Sequence, residues 1–115
     1  MNDFGLETME DREGEVIAIP RPPFDPLEVI SFVAIEWGTT PRDVLSRSRI
    51  PEHVTPRWIA ARVMRERGMS FPMIARRFAM DHSSFVHASQ AFDRKYRDVP
   101  QVWAVLDAAR ARFLP

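Results

Sequence analysis

Hydrogen-bonding side chains concentrate in one stretch of this 115-residue chain. Within residues 70–96 the run Asp81-His82-Ser83-Ser84 is followed by His87, Gln90 and Arg94. Ser83, His87, Gln90 and Arg94 recur at helical spacing and share one face, while Phe85, Ser89, Phe92 and Tyr96 fall on the other. The second face is suited to burial, so the first must look outward. Hydroxyl, imidazole, amide and guanidinium groups on an outward helix face have the donors and acceptors needed to read base edges in a major groove. Asp81 has two uses open to it: accepting from a cytosine amino group, or capping the free amides at a helix start.

The same residues suit catalysis and metal binding poorly. His82 and His87 are five positions apart and so lie on different helix faces, there is no cysteine, and no HExxH pattern occurs. No nucleophile is paired in sequence with an evident base. No catalytic residue, no metal and no cofactor is expected. The glycines, Gly5, Gly14, Gly38 and Gly68, form nothing like GxxxxGK[ST], which speaks against nucleotide binding of that kind.

The elements that must position this stretch are legible from caps and stripes. Phe71, Ile74, Ala75 and Phe78 fall at i, i+3, i+4 and i+7 and predict a helix. Ala79 and Met80 break it before the second helix opens at Asp81, so residues 70–97 read as a helix-turn-helix. Upstream, Asp25 caps a helix with Pro26 in its first turn. Val29, Ile30, Phe32, Val33, Ala34 and Trp37 cover most of that helix, which predicts the buried pillar of the core; Gly38 ends it. Thr40-Pro41 opens a short helix through Val44 and Leu45. Residues 46–54 then read as a loop carrying Arg47, Arg49 and His53. Thr55-Pro56 predicts the next helix, with Ile59, Ala60, Val63 and Met64 inward and Trp58, Arg62 and Arg65 outward, ending at Gly68. Pro100 opens a last helix with Val102, Val105, Leu106, Ala109 and Phe113 on its apolar side. No segment alternates with period 2. The expected fold is all-α, a small bundle of about six helices.

Residues 1–24 are acidic, rich in proline towards their end and poor in apolar side chains, so a disordered tail is expected before a helical domain at 25–115. Its plainer role is passive solubilisation; the alternative is an acidic arm that competes for a basic face. Residues 1–36 hold nine acids against Arg12 and Arg21, a balance of −7, and residues 37–115 hold fourteen bases against seven acids, a balance of +7. The net charge of zero therefore conceals a cationic helical region. Fifteen of its sixteen bases chain-wide are arginine, whose planar fork matches phosphate and guanine edges. No apolar run approaches the about 20 residues of a membrane span, and Asp3, Glu7, Glu10 and Asp11 stand where a signal peptide needs positive charge. A soluble, cytoplasmic, nucleoid-associated monomer is expected, with no membrane partner.

Three landmarks in order give the span from about Asp25 to Ala91 a resemblance. They are the loop Leu45-Ser46-Arg47-Ser48-Arg49, the pair Pro56-Arg57, and the octad Asp81-His82-Ser83-Ser84-Phe85-Val86-His87-Ala88, preceded by Ser70, Pro72 and Ile74. This pattern resembles the C-terminal duplex-DNA-binding domain (domain IV) of the bacterial chromosomal replication initiator DnaA. The resemblance implies double-stranded DNA as partner, with Asp81, His82, Ser83 and Ser84 in the major groove, Arg49 of the basic loop in the adjacent minor groove, and Arg57 on the backbone. Beside these, Arg76 and Arg77 are candidate phosphate contacts, Arg47 of the basic loop is a further candidate DNA contact, and His87, Gln90 and Arg94 complete the outward face.

The chain also departs from that pattern. Ala79-Met80 replaces two glycines and an arginine, so the turn is one residue shorter and a phosphate-facing arginine is lost. Both threonines of the signature are Ser83 and Ser84, without the methyls that touch a thymine methyl. Trp58 stands for a glutamine, Ala91 for a lysine, and Pro51-Glu52 for polar or basic loop residues. Fewer phosphate contacts predict weaker binding and a shallower salt dependence. A regulator or competitor of replication or transcription at initiator-type sites fits these residues. The alternative is a protein-interaction module that keeps the fold and uses Trp58 or the acidic tail, although such a Trp more commonly packs over a neighbouring helix.

Overall fold

The structure, a computed structural model, describes residues 6–10, 16–20 and 24–114. Two strands, β1 (Leu6–Glu10) and β2 (Val16–Pro20), pair antiparallel with Leu6 opposite Pro20 and Glu10 opposite Val16. This ribbon stands where the sequence predicts no strand. A period-2 count misses β2 because Val16-Ile17-Ala18-Ile19 is a continuous apolar, largely β-branched run that favours extended backbone without alternating. The rest of the expected disordered tail, residues 1–5, 11–15 and 21–23, lies outside the described residues.

The body that follows is all-α, with six helices among the described residues: α1 (Pro26–Trp37), α2 (Pro41–Leu45), α3 (Pro51–Arg67), α4 (Phe71–Phe78), α5 (His82–Tyr96) and α6 (Pro100–Phe113). Most ends lie where the caps predict. The Leu27 amide donates to Asp25 Oδ1 at 2.9 Å and the Asp43 amide to Thr40 Oγ1 at 3.1 Å. Gly38 and Gly68 close α1 and α3 in the left-handed region, at φ 97° and 112°, which glycine enters without steric cost.

The start of α3 is corrected. It begins at Pro51, not at Thr55-Pro56, and the amides of His53 and Val54 turn back onto the Ile50 carbonyl at 3.0 and 2.9 Å. Either proline suits a first turn; the earlier one takes it, and Pro56 sits one turn inside. The ladder bond that Pro56 cannot donate belongs to the exposed first turn, where a missing bond costs least. The basic loop therefore shortens to residues 46–50. His53, expected on that loop, lies in α3 with Nε2 3.4 Å from Asp43 Oδ2.

The pillar is corrected too. α1 leaves Leu27 and Ile35 exposed, at 52% and 67%, whereas α3 packs against each of the other five helices. Ile59, Ala60, Val63 and Met64 of α3 are fully buried among Ile30 and Val33 of α1, Ile74 of α4, Phe85 and Phe92 of α5, and Val102 and Leu106 of α6. Phe24, placed by its sequence setting at the end of the tail, is buried with the Arg67 guanidinium 4.7 Å above its ring. No helix among the described residues is long and apolar enough to cross a membrane.

Candidate nucleic-acid interface

The helix-turn-helix is built from α4 and α5. Ser70 caps α4, its Oγ accepting from the Met73 amide at 3.3 Å, and Ile74, Ala75 and Phe78 bury the inner side. Ala79 then enters the left-handed region, φ 52° and ψ 43°, where the Met80 amide can reach the Ala75 carbonyl at 3.1 Å. It is the one non-glycine among the described residues with positive φ. A β-carbon is disfavoured there, so the shortened turn is closed with the wrong residue for its conformation.

α5 turns Phe85, Phe92 and Tyr96 into the core. His87, Gln90 and Arg94 are exposed on its other side, with Ser83 and Ser84 half-buried at its head. Asp81 and His82 stand clear of the body, their side chains 73% and 58% exposed. No well-formed capping bond reaches Asp81 from a backbone amide, so of the two uses open to it the cap is the weaker, with only minor support for its carboxylate from the Ser83 and His82 amides. Its carboxylate instead accepts from the Ser83 hydroxyl. That bond is the chief reason the Asp81 carboxyl is held below its ordinary range. The head of α5 thus presents a fixed carboxylate–hydroxyl pair rather than two independent groups.

Loop 46–50 lies beside this head. It is an internally bonded turn: Ser46 Oγ donates to the Asp43 carbonyl at 2.6 Å, the Ser48 amide to Ser46 Oγ at 3.2 Å, and the Ile50 amide to Ser48 Oγ at 3.3 Å. Arg47 and Arg49 project from it, both exposed. Arg47 Nη2 donates to the Ala79 carbonyl at 3.3 Å, joining the loop to the turn of the helix-turn-helix. An open cleft separates loop from helix, its lining including Arg47, Arg49, Arg57, Met80, Ser84 and Lys95.

Arg57, to which the resemblance gives a backbone contact, is bonded within the protein. The residue is 3% exposed. Its Nε donates to the Val44 carbonyl at 2.9 Å, and its Nη2 to the carbonyls of Ser46 and Ser48 at 2.8 and 3.2 Å. Burial pulls its pKa down, and the carbonyls that surround it take the place of water around the charge. Nε and Nη2 are thus committed to the loop, while the residue also forms part of the cleft wall.

The structure brings Arg47, Arg49 and Ser84 to one cleft and places Arg76 and Arg77, both exposed, on the last turn of α4. The face of α3 expected to point outward is corrected: Trp58 and Arg62 face α5. The Trp58 ring meets Phe85 edge to face at 5.1 Å, and Arg62 donates to Asp93 of α5 at 2.9 Å and to Glu66 at 2.9 Å. This tether is not visible in the sequence, although the i, i+4 spacing of Arg62 and Glu66 was available to signal half of it.

Residues 26–91, from the start of α1 well into α5, match the family described as bacterial DnaA protein helix-turn-helix. The chain belongs to that family. DnaA 1, a chromosomal replication initiator protein of Chlamydia trachomatis, is 30% identical over 74 residues, covering 64% of this chain and 16% of the relative. The chromosomal replication initiator DnaA of Deinococcus radiodurans is 30% identical over 87 residues, covering 75% of this chain and 19% of the relative. The chain thus spans less than a fifth of the length of these relatives. What it shares with them is the DNA-binding helix-turn-helix domain, and the DnaA signature octad runs through the head of α5.

Proposed function

We propose that this chain binds double-stranded DNA with a preference for DnaA-box-like sequences and acts there as a regulator or competitor of replication or transcription. The observation that carries the reading is the pairing of two elements beside one cleft: the head of α5, where Asp81 and His82 are exposed and Ser84 lines the cleft, and the loop tip with Arg49. A helix head in the major groove leaves a neighbouring loop over the adjacent backbone and minor groove. Arg49 entering a narrow minor groove meets enhanced negative potential.

In this reading His82, Ser84 and the Asp81–Ser83 pair address base edges, with His87 and Gln90 further along the helix. Arg47, Arg76, Arg77 and Arg94 neutralise phosphates. Asp81 serves as an acceptor, suited to a cytosine amino group. The loss of basic and methyl groups relative to the family pattern makes binding weaker than that of the relatives' domain.

The test is a titration against a duplex carrying a DnaA box and a scrambled duplex, each at low and at moderate salt. A box preference supports sequence reading. Equal binding to both reduces the protein to a backbone binder, and no binding to either at low salt overturns the proposal in favour of an interaction module.

A further inference from the structure

We propose that Arg57 is a positioning residue for the interface: it sets the path of loop 46–50 so that Arg49 and the head of α5 can engage neighbouring grooves together. This rests on the DNA reading above and assigns Arg57 a part in it beyond the backbone contact that the resemblance implies.

The geometry is specific. Val44, Ser46 and Ser48 alternate along the chain, and one guanidinium collects the carbonyls of all three. A planar fork with donors in several directions can do this, whereas a single ammonium cannot match the same three directions. Arg57 stands on the first turns of α3, the helix that contacts all the others, so the loop is referenced to the most constrained element of the fold. At its opposite side the same loop is tied by Arg47 to the Ala79 carbonyl, 3.3 Å away and at the very turn that precedes α5. Loop and recognition helix are thereby held from both sides, and the distance between Arg49 and the head of α5 becomes a property of the fold.

Charge and position can be separated by experiment. Wild type, Arg57→Lys, Arg57→Gln, Arg49→Ala and the Arg57→Lys/Arg49→Ala double variant are titrated against box and scrambled duplexes over a range of salt, below the melting temperature of each. Expected for Arg57→Lys, which keeps the charge, is a loss of box preference of about tenfold, the scale of one misplaced hydrogen-bonding group, with the wild-type salt slope retained. In the double variant the loss is close to that of Arg49→Ala alone, because both changes remove the same correctly placed arginine. A role in stability alone lowers the melting temperature but leaves the preference of the folded protein intact. The proposal is overturned if Arg57→Gln flattens the log–log salt slope by about 0.9, as a lost phosphate contact does, while Arg57→Lys behaves as wild type, or if the two losses simply add. Amide exchange of Ser48 and Ile50 in the free protein gives a second readout that needs no DNA: it speeds up in Arg57→Lys if the clamp exists and is unchanged if it does not. Wild type that binds no duplex refutes the DNA reading, and faster exchange in that case keeps the clamp but removes its purpose.

Discussion

The Arg62 guanidinium stands 2.9 Å from the Asp93 carboxylate, and through this contact the central helix α3 holds the recognition helix α5. The connection continues: Arg62 Nε donates to Glu66 Oε2 at 2.9 Å, and Glu66 accepts from Arg110 of α6 at 2.8 and 2.7 Å. Three helices are linked through two carboxylates, Asp93 and Glu66, bridged by Arg62, and the Arg62 guanidinium also lies 5.0 Å from the Phe92 ring. Such a network is worth more than an isolated surface pair, because each side chain ordered for one bond is already ordered for the next.

A pH dependence follows from Glu66. The hydrogen bond from Arg110, aided by Arg62, holds its carboxyl below the ordinary value of 4.5. A carboxyl depressed in the folded state adds stability above its unfolded pKa, and that stability is lost as pH falls through the folded value. Glu66→Gln should therefore lower stability at pH 7 by about 1 kcal/mol, discounted for partial exposure, and the difference from wild type should shrink in melts run progressively below pH 4.5. A difference that stays constant with pH refutes the assignment.

The turn offers the opposite change. Ala79 holds φ 52°, a conformation that costs an L-residue about 1 kcal/mol relative to glycine. Ala79→Gly should raise stability by about 0.5–1 kcal/mol, part of the gain being offset by the greater freedom of glycine when unfolded. Its carbonyl still receives Arg47. Chemical denaturation measures this, and a lower midpoint would show that the turn is not strained.

Two residues at helix starts should separate cleanly. Ser70 caps α4 through its hydroxyl, and Ser70→Ala should cost about 1 kcal/mol. Asp81 precedes α5 without a capping bond, and Asp81→Ala should stay within about 0.5 kcal/mol of wild type while weakening duplex binding. Equal losses of stability for both would restore Asp81 as a structural cap.

On DNA, Arg49→Ala and His82→Ala should erode the box preference, whereas Arg76→Ala should weaken both duplexes alike and flatten the salt slope by about 0.9. Binding isotherms on the two duplexes at several salt concentrations check this. Losses that are identical in kind for all three variants would mean that base reading and backbone contact are distributed differently from the proposed roles.

Much of the fold was legible in the sequence because it depends on near neighbours. Asp25-Pro26, Thr40-Pro41 and Ser70 announce helix starts, Gly38 and Gly68 announce ends, and the stripes of α4, α5 and α6 show which side is buried. The loop at 45–49, the pair Pro56-Arg57 and the octad from Asp81 to Ala88 together pointed to the family that residues 26–91 match. Caps and stripes act within one or two turns, so their physical causes lie inside a short window of sequence.

Other features were decided only when distant segments met. Whether Pro51 or Pro56 opens α3 could not be read locally, since both satisfy a first turn. α1, apolar almost all round, looked like the pillar, yet α3 with its charged ends took that place by touching every other helix. Arg57 looked like a surface cation until the carbonyls of residues 44, 46 and 48 closed around it. The tethers from Arg47 to Ala79 and from Arg62 to Asp93 join residues 32 and 31 positions apart. A guanidinium serves water, phosphate, carboxylate or carbonyl equally well by its chemistry. Sequence determined which residues could act; tertiary packing decided which arginines turned inward to hold the loop and helix, and which remained outside to meet a ligand.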